Sequence, residues 1–178
     1  AGQPGVFFSH EMDAAELANR LLSDELYDLG RDYRLAYWQI QSGRYAEKFY
    51  NGMVEASRRL ERLPVMIEPT PLMTVSQIGA RARQFQRKRG ELKWIAVDHL
   101  GLVKASDRYA GSKVNETGEI TRGLKALAKE LGIPCFLLAQ LNRAVETRED
   151  KRPGLADLRH SGDIEQDADT VLLMHRSD

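Results

Sequence analysis

Short apolar runs without strict alternation of apolar and polar residues constrain the fold of this chain more than any other feature of its sequence. A strand with one face in water alternates, whereas a strand covered on both faces is apolar almost throughout. Such runs are therefore typical of parallel strands inside a layered domain. The sequence predicts strands at Val6–Ser9, Val65–Glu68, Trp94–Val97, Cys135–Ala139 and Thr170–His175.

Segments with helical periodicity lie between these runs. Asp13 and Thr74 are residue types that cap the start of a helix, and Glu16 and Gln77 follow them at the spacing of a capping box. Apolar residues then recur three or four positions apart, as they do on the buried side of a helix. The three predicted helices carry Leu17, Leu21 and Leu22; Val75, Ile78, Ala82 and Phe85; and Ile120, Leu124, Leu127 and Leu131.

The alternation of strand and helix indicates the fold class. Gly90 is predicted to end the second helix, and Gly132 with Pro134 the third. Parallel neighbours need long crossover connections, so this rhythm predicts an α/β domain with a mostly parallel sheet flanked by helices. Residues 31–62 are predicted as a helical insertion, and Arg143–Arg152 as a loop because charged residues crowd it. The insertion is expected to hold one helix with Tyr33, Leu35, Ala36, Tyr37 and Ile40, and another with Phe49, Met53 and Leu60.

Composition sets only broad limits. The chain of 178 residues is long enough for one domain, and its 26 basic and 26 acidic residues leave no net charge to attract nucleic acid, so any such contact must be local. The single Cys135 lies in an apolar run, where a small buried residue is expected rather than a disulfide or a reactive thiol. The apolar runs are far shorter than the roughly 20 residues that span a bilayer, and no signal peptide is recognisable. An intracellular protein without membrane contact is expected.

Polar residues follow three of the predicted strands where each strand ends: Glu11, Asp98 and Gln140. Ligands of open parallel sheets bind outside the carboxyl ends of the strands. Two carboxylates and an amide there can serve nucleotide hydrolysis by orienting water, holding Mg²⁺ and sensing the terminal phosphate. The alternative is that each residue only caps a helix or ends a strand.

Several motifs resemble the DnaB-type replicative DNA helicases over almost the whole chain. The resemblance lies in the order and spacing of the segments Val6-Phe7-Phe8-Ser9-His10-Glu11-Met12, Ile95-Ala96-Val97-Asp98-His99-Leu100-Gly101-Leu102, Leu124-Lys125-Ala126-Leu127-Ala128-Lys129-Glu130-Leu131, Leu138-Ala139-Gln140-Leu141-Asn142-Arg143, Asp150-Lys151-Arg152-Pro153 and Asp157-Leu158-Arg159-His160-Ser161-Gly162-Asp163-Ile164-Glu165-Gln166-Asp167-Ala168-Asp169. It implies a RecA-like P-loop NTPase core that uses ATP and Mg²⁺.

The resemblance implies a role for each of the polar strand ends. Glu11 matches the family's glutamate that polarises the attacking water, and Asp98 matches the Walker B aspartate that orients Mg²⁺ through water. Gln140 matches the amide that links nucleotide state to the DNA-binding loop, and Arg143 is given a supporting coupling role. His10 and His99 stand beside the two carboxylates, but no paired histidine spacing supports a transition-metal site.

The segment 143–162 resembles the central-channel loop of the family. Arg159 and Gly162 align with family residues that approach the DNA backbone, and Arg152 is a third candidate. Arg148 and Lys151 can also reach phosphates, although acidic neighbours dilute their charge and a solvated surface loop remains an alternative. Contacts of this kind follow the backbone of single-stranded DNA and read no bases.

One family motif has no counterpart among the 178 residues, because no segment reads Gly-x-x-x-x-Gly-Lys-Ser/Thr. The phosphate-binding loop is therefore expected before Ala1, and the last strands with a basic finger after Asp178. The sequence predicts a partial motor domain that is truncated at both ends and inactive by itself.

The whole protein is expected to be a cytoplasmic helicase of a bacterial or phage-infected cell. As implied by the resemblance, it would form a homo-hexamer, move along single-stranded DNA and meet a primase and a helicase loader. A helicase-like binding module without catalysis stays open as an alternative. A recombinase or clock-type ATPase of the same fold is a third, against which the resemblance of Ser161–Asp169 argues.

Overall fold

A parallel sheet of four strands, in the order β2-β1-β3-β4, forms the centre of the molecule. The computed structural model describes residues 2–109, 111–158 and 161–176. The strands are β1 (Gly5–Ser9), β2 (Val65–Glu68), β3 (Trp94–Asp98) and β4 (Cys135–Leu137). The helices are α1 (Ala14–Leu29), α2 (Tyr37–Ser42), α3 (Tyr50–Glu61), α4 (Val75–Arg89), α5 (Lys113–Leu131) and α6 (Ser161–Asp167), with short 3-10 turns at Arg31–Tyr33, Glu47–Phe49, Leu100–Leu102, Asp107–Tyr109, Arg143–Thr147 and Leu155–Asp157.

The two inner strands bury one face completely and the other face in part. Val6 and Phe8 of β1 and Ile95 and Val97 of β3 are wholly inaccessible to solvent. They pack with buried residues of α4 and α5, including Ile78, Phe85, Leu124 and Leu127. Each inner strand lies between two neighbours, and because its second face is also partly covered, its sequence is apolar almost throughout instead of alternating.

The predicted helix caps are present. Asp13 Oδ1 accepts a hydrogen bond of 2.7 Å from the Glu16 N–H, and Thr74 and Gln77 form a reciprocal capping box. Helices α4 and α5 end at Gly90 and at Gly132 in the left-handed conformation, with φ of 85° and 64°. Among the described residues, no helix combines the length and the apolar character that a membrane crossing requires.

The segment predicted as a helical insertion is largely helical, but the first of its two predicted helices begins later than expected. Helix α2 starts at Tyr37, while Tyr33 lies in a 3-10 turn and Leu35 in an extended link. Leu35 is nevertheless buried with Leu22, Leu26, Ile40 and Ala56 in a cluster formed by α1 to α3. Leu35 is therefore apolar because it is buried in this cluster, and not because it belongs to a helix.

The strand predicted at Thr170–His175 is wrong. Residues 170–176 form no strand, although Val171 and Leu173 pack against the core. Leu172 and Met174 point to solvent with 84% and 88% exposure. Alternate residues thus face inward without a hydrogen-bonded neighbour, so the apolar pattern arises from contact with the core and not from a ladder. Strand β4 also ends at Leu137, two residues earlier than predicted.

Candidate active site

The carboxyl ends of β1 and β3 are joined by backbone contacts. Ser9 and Asp98 are register partners, and the His10 N–H donates a hydrogen bond of 2.8 Å to the Asp98 carbonyl. Glu11 follows directly, so the two predicted carboxylates belong to adjacent strand ends at one edge of the sheet. This is the arrangement expected for a nucleotide site in a parallel sheet.

The chain after β4 reaches the same edge. The Leu138 N–H donates to the Val97 carbonyl at 3.0 Å, and the Leu100 N–H donates to the Leu138 carbonyl at 2.9 Å. These bonds hold the segment that leads to Gln140 alongside the residues that follow β3. Glu11, Asp98 and Gln140 therefore come from three neighbouring chain segments at one edge.

The side chain that connects these segments is His99, which the sequence predicts only as a residue beside Asp98. Its Nε2 atom lies 3.2 Å from Nε2 of Gln140 and 3.6 Å from Oε2 of Glu11. Its Nδ1 atom accepts a hydrogen bond of 3.1 Å from the Gly101 N–H. The imidazole is mostly buried, with 12% of its surface exposed, whereas 59% of the Glu11 side chain is exposed. The only sequence signal for His99 as a site residue is its position directly after Asp98, the polar residue that ends β3.

His10 and Ser9 shape the turn that presents Glu11. Ser9 is buried and its hydroxyl donates to the Met12 carbonyl at 2.7 Å. The His10 ring is also buried, and its Nδ1 lies 2.9 Å from the Thr70 carbonyl, so Nδ1 carries the proton and donates. The side chains of Ser9 and His10 are both hydrogen-bonded to backbone oxygens. Glu11, the next residue, faces solvent.

The donor set fits a hydrated magnesium ion better than a transition metal. The described part of the chain contains no group of three histidine, cysteine or carboxylate side chains able to hold a metal. Mg²⁺ needs no such cage, because it keeps several waters and binds through one or two carboxylates and the phosphates of a nucleotide. The half-buried Asp98 at the end of a rigid strand is suited to that role.

A cavity of about 240 Å³ lies beside the sheet edge and is lined by His99, Gln140, Lys113 and Glu116. This volume lies below the usual range of ligand pockets, so the cavity does not form the site by itself. The Glu116 carboxylate accepts hydrogen bonds from the Lys113 ammonium group at 2.7 Å and from the Gly111 N–H. Both bonds lower the pKa of the Glu116 carboxyl. The candidate site is therefore the open edge with Glu11, Asp98 and Gln140.

The loop predicted to bind DNA is held by a buried carboxylate. Asp157 accepts a hydrogen bond of 2.8 Å from the Gly154 N–H and forms an ion pair of 2.7 Å with Arg148. The hydrogen bond from Gly154 and the neighbouring Arg148 guanidinium both lower the pKa of the Asp157 carboxyl. The Asp157 carbonyl also accepts from the Asn142 N–H at 2.7 Å. Arg148 is thus engaged within the loop, whereas the sequence leaves open a phosphate contact or a solvated side chain.

The other residues predicted in this loop are exposed where the structure describes them. Arg143, predicted to have a supporting coupling role, is exposed. Arg152, predicted to contact DNA, is exposed too and lines an open cavity of about 470 Å³ together with Lys151 and Arg176. Gly162 is exposed in the first turn of α6, so the predicted loop ends in a helix. Arg159 lies outside the described residues.

Solved structures share the fold of this chain. A DnaB-like replicative helicase, solved for its interactions with primase, superposes with a TM-score of 0.84 at 30% identity over 94% of this chain and 39% of its own. A second solved structure, of an ATPase domain, gives the same TM-score and identity over 94% of this chain and 57% of its own. The α/β fold is therefore that of the RecA-like ATPase domain of DnaB-type helicases, as the sequence predicts.

Sequence comparison extends over the same region. The replicative DNA helicase DnaB of Rickettsia bellii is 45% identical over 172 residues, which are 97% of this chain and 33% of the relative. That of Mycobacterium leprae is 39% identical over 173 residues, covering 97% of this chain and 27% of the relative. The chain thus spans about a third of the length of the curated relatives it matches. Residues 1–178 match the family described as the DnaB-like helicase C terminal domain, and the chain belongs to that family.

Proposed function

We propose that this chain is the part of a replicative helicase that hydrolyses ATP and converts hydrolysis into movement along single-stranded DNA. The observation that carries the proposal is the meeting of the Glu11, Asp98 and Gln140 segments at one edge of the parallel sheet. Two carboxylates and an amide at that edge can orient water, hold Mg²⁺ and sense the terminal phosphate, which are three of the tasks in nucleotide hydrolysis. Membership of the helicase family supports the same reaction.

Glu11 is proposed as the residue that orients and deprotonates the attacking water. Its carboxylate is more than half exposed, so it can accept a proton from a water above the strand ends. Asp98 would hold Mg²⁺ through bound water, and the ion would offset the charge of the phosphates. Because β3 is paired on both sides, the backbone of Asp98 is held in a fixed position, which is what an electrostatic site needs.

Gln140 and Arg143 are proposed to connect nucleotide state with the DNA-binding loop. Gln140 leaves the sheet edge, and Asn142 then caps the 3-10 turn Arg143–Thr147 by accepting from the Ala144 N–H at 3.1 Å. Only two residues separate Gln140 from that turn, so a displacement of the amide is passed directly to the loop. Arg152, Gly162 and Arg159 are proposed as the contacts to DNA phosphates.

The proposed setting is a homo-hexamer in the cytoplasm of a bacterial or phage-infected cell, with a primase and a helicase loader as partners. The 178 residues alone are proposed to be inactive, since they include no Gly-x-x-x-x-Gly-Lys-Ser/Thr loop to bind the phosphates. A test therefore needs a protein that supplies the rest of the machinery. A chimaera in which this chain replaces the segment that it matches in the Rickettsia bellii helicase meets that need.

The experiment measures ATP hydrolysis by the chimaera with and without single-stranded DNA. Hydrolysis that DNA stimulates is expected, and Glu11→Gln should lower kcat about 10²- to 10⁴-fold while ATP still binds. Glu47→Gln, the same change at an exposed glutamate on a 3-10 turn, is the matched control and should leave kcat unchanged. A folded, ring-forming chimaera that does not hydrolyse ATP but binds primase would refute the motor and favour a non-catalytic module.

A further inference from the structure

Among the residues that the structure describes, the His99 imidazole lies against the side chains of both Glu11 and Gln140. Its contacts bear on how the proposed base and the proposed sensor are coordinated, so the inference rests on the function proposed above. The ring is nearly enclosed, with 12% of its surface exposed, and this burial restricts it to few orientations.

The hydrogen-bond partners of the ring determine which nitrogen carries the proton. The Gly101 N–H donates to Nδ1 at 3.1 Å, and a backbone N–H can only donate. In the neutral ring the hydrogen must therefore be on Nε2. A Cβ on residue 101 would lie 2.9 Å from Cε1 of His99, so glycine is the residue that allows this close approach of backbone and ring.

The protonated Nε2 in turn determines the orientation of the Gln140 amide. The two nitrogens lie 3.2 Å apart, and two N–H groups cannot bond to each other. Amide oxygen and nitrogen are interchangeable in such an assignment, so the consistent arrangement has Oε1 of Gln140 facing the ring. The NH₂ group of Gln140 is then turned away from the ring and remains a donor for a phosphate oxygen.

We propose that His99 is a positioning residue that couples Gln140 to Glu11 through a single hydrogen. The Nε2–H donates to the Gln140 amide at 3.2 Å, and the Glu11 carboxylate is 3.6 Å from the same nitrogen, just beyond hydrogen-bond distance. One hydrogen cannot serve both acceptors well. A movement of Gln140 away from the ring releases the hydrogen to Glu11, and its return frees the carboxylate to act on water.

The test compares two substitutions of His99 in the Rickettsia bellii chimaera. In His99→Asn the amide oxygen can still accept from Gly101, but no donor reaches the place of Nε2. In His99→Gln the longer side chain restores a donor at that place. We expect His99→Asn to lower kcat roughly ten- to hundredfold, as misplaced catalytic groups do, with KM for ATP within about twofold and DNA stimulation lost. His99→Gln should recover most of kcat and of the stimulation, and both variants should unfold at the temperature of the unsubstituted protein.

Equal activities of the two variants, whether both normal or both lost, would overturn the coupling. An unsubstituted chimaera without ATP hydrolysis would instead refute the proposed function, and the His99 contacts are then tested without activity. The four histidines of the 178-residue chain can be labelled with ¹⁵N and their ring tautomers observed by NMR.

The NMR experiment predicts a hydrogen on Nε2 of His99. The Nε2 resonance should shift in Gln140→Ala and stay in place in Gln41→Ala, a matched change at an exposed glutamine of α2. A hydrogen on Nδ1 of His99, or an Nε2 resonance that does not shift in Gln140→Ala, would overturn the proposal.

Discussion

Replacement of Gly5 by alanine tests whether β1, the strand that presents Glu11, depends on close contact with β3. Gly5 pairs in register with Trp94 at the start of the two inner strands. A Cβ on residue 5 would lie 2.0 Å from Cε2, 2.3 Å from Cδ2 and 2.4 Å from Cζ2 of the Trp94 ring. Ordinary contacts between such atoms begin near 3.4 Å, so the ring has to move by more than an ångström.

The cost of that movement follows from what holds the ring. Trp94 Nε1 donates to the Gln3 carbonyl at 3.0 Å, and the loss of such a bond costs about 1 kcal/mol. Overpacking adds about 1–3 kcal/mol, while the loss of glycine's freedom in the unfolded chain returns about 0.5–1 kcal/mol. Gly5→Ala should therefore lower the free energy of unfolding by about 1–3 kcal/mol, which corresponds to roughly 3–9 °C in Tm for a chain of this size.

Thermal and urea unfolding of the 178-residue chain measure the effect. Gly2→Ala is the control, because a Cβ there meets only the Pro64 ring, with its Cδ at 3.4 Å, and it should change the stability by less than about 0.5 kcal/mol. In the double variant Gly5→Ala with Trp94→Ala the clash is absent, so the two costs should not add. Equal stability of Gly5→Ala and the unsubstituted chain, or additive costs in the double variant, would refute the reasoning.

Three further predictions follow from the loop and from the core. Because the pKa of the Asp157 carboxyl is lower in the folded than in the unfolded protein, the ionised carboxylate stabilises the fold at pH values above its unfolded-state pKa, and this contribution disappears as pH falls through the folded-state pKa. Asp157→Asn should therefore lower Tm at pH 7 and not at the acidic end of a pH series. An equal loss of Tm at every pH would contradict the ion pair. Arg152→Ala should weaken single-stranded DNA binding by the chimaera and lower its salt slope by about 1, with basal hydrolysis unchanged; an unaltered slope would remove Arg152 from the DNA contacts. Burial raises the pKa of the Cys135 thiol to about 11, so alkylation at pH 8 should be much slower than that of an exposed thiol, and a rate equal to that of free cysteine would show that the thiol is open.

The features that the sequence predicts correctly are those with local causes. The caps at Asp13 and Thr74 need only side chains that reach the backbone three residues away, and both are present. The inner strands are predicted because full burial of one face and partial burial of the other leave an unbroken apolar run. The location of polar residues at one sheet edge follows in the same way, since parallel strands all end on one side.

The errors concern residues whose environment comes from elsewhere in the chain. Val171 and Leu173 are apolar because they rest on the core, and an apolar run alone does not distinguish that contact from a strand. Leu35 is buried by α1 although it precedes α2, so its hydrophobicity extends the apparent helix beyond its true start. In each case the sequence records burial and not the backbone conformation that achieves it.

Side-chain contacts across the candidate site are harder still to predict. Glu11 and Gln140 can be assigned to one edge from strand ends, but the contact with His99 depends on the rotation of one ring and on Gly101 beside it. The same limit applies to the loop. The sequence leaves open whether Arg148 contacts phosphate or is only solvated, and its ion pair with the Asp157 carboxylate is visible only in the structure.

We propose that the difference between Arg148 and Arg152 has a functional consequence. A guanidinium that already bonds to a buried carboxylate offers less of its charge to DNA, and it instead holds the loop in one conformation. Arg152 is exposed at the rim of an open cavity, where a phosphate can reach its guanidinium. If the loop moves with nucleotide state, the Arg148–Asp157 pair keeps it rigid, so a displacement that begins at Gln140 reaches Arg152 instead of being absorbed by the backbone between them.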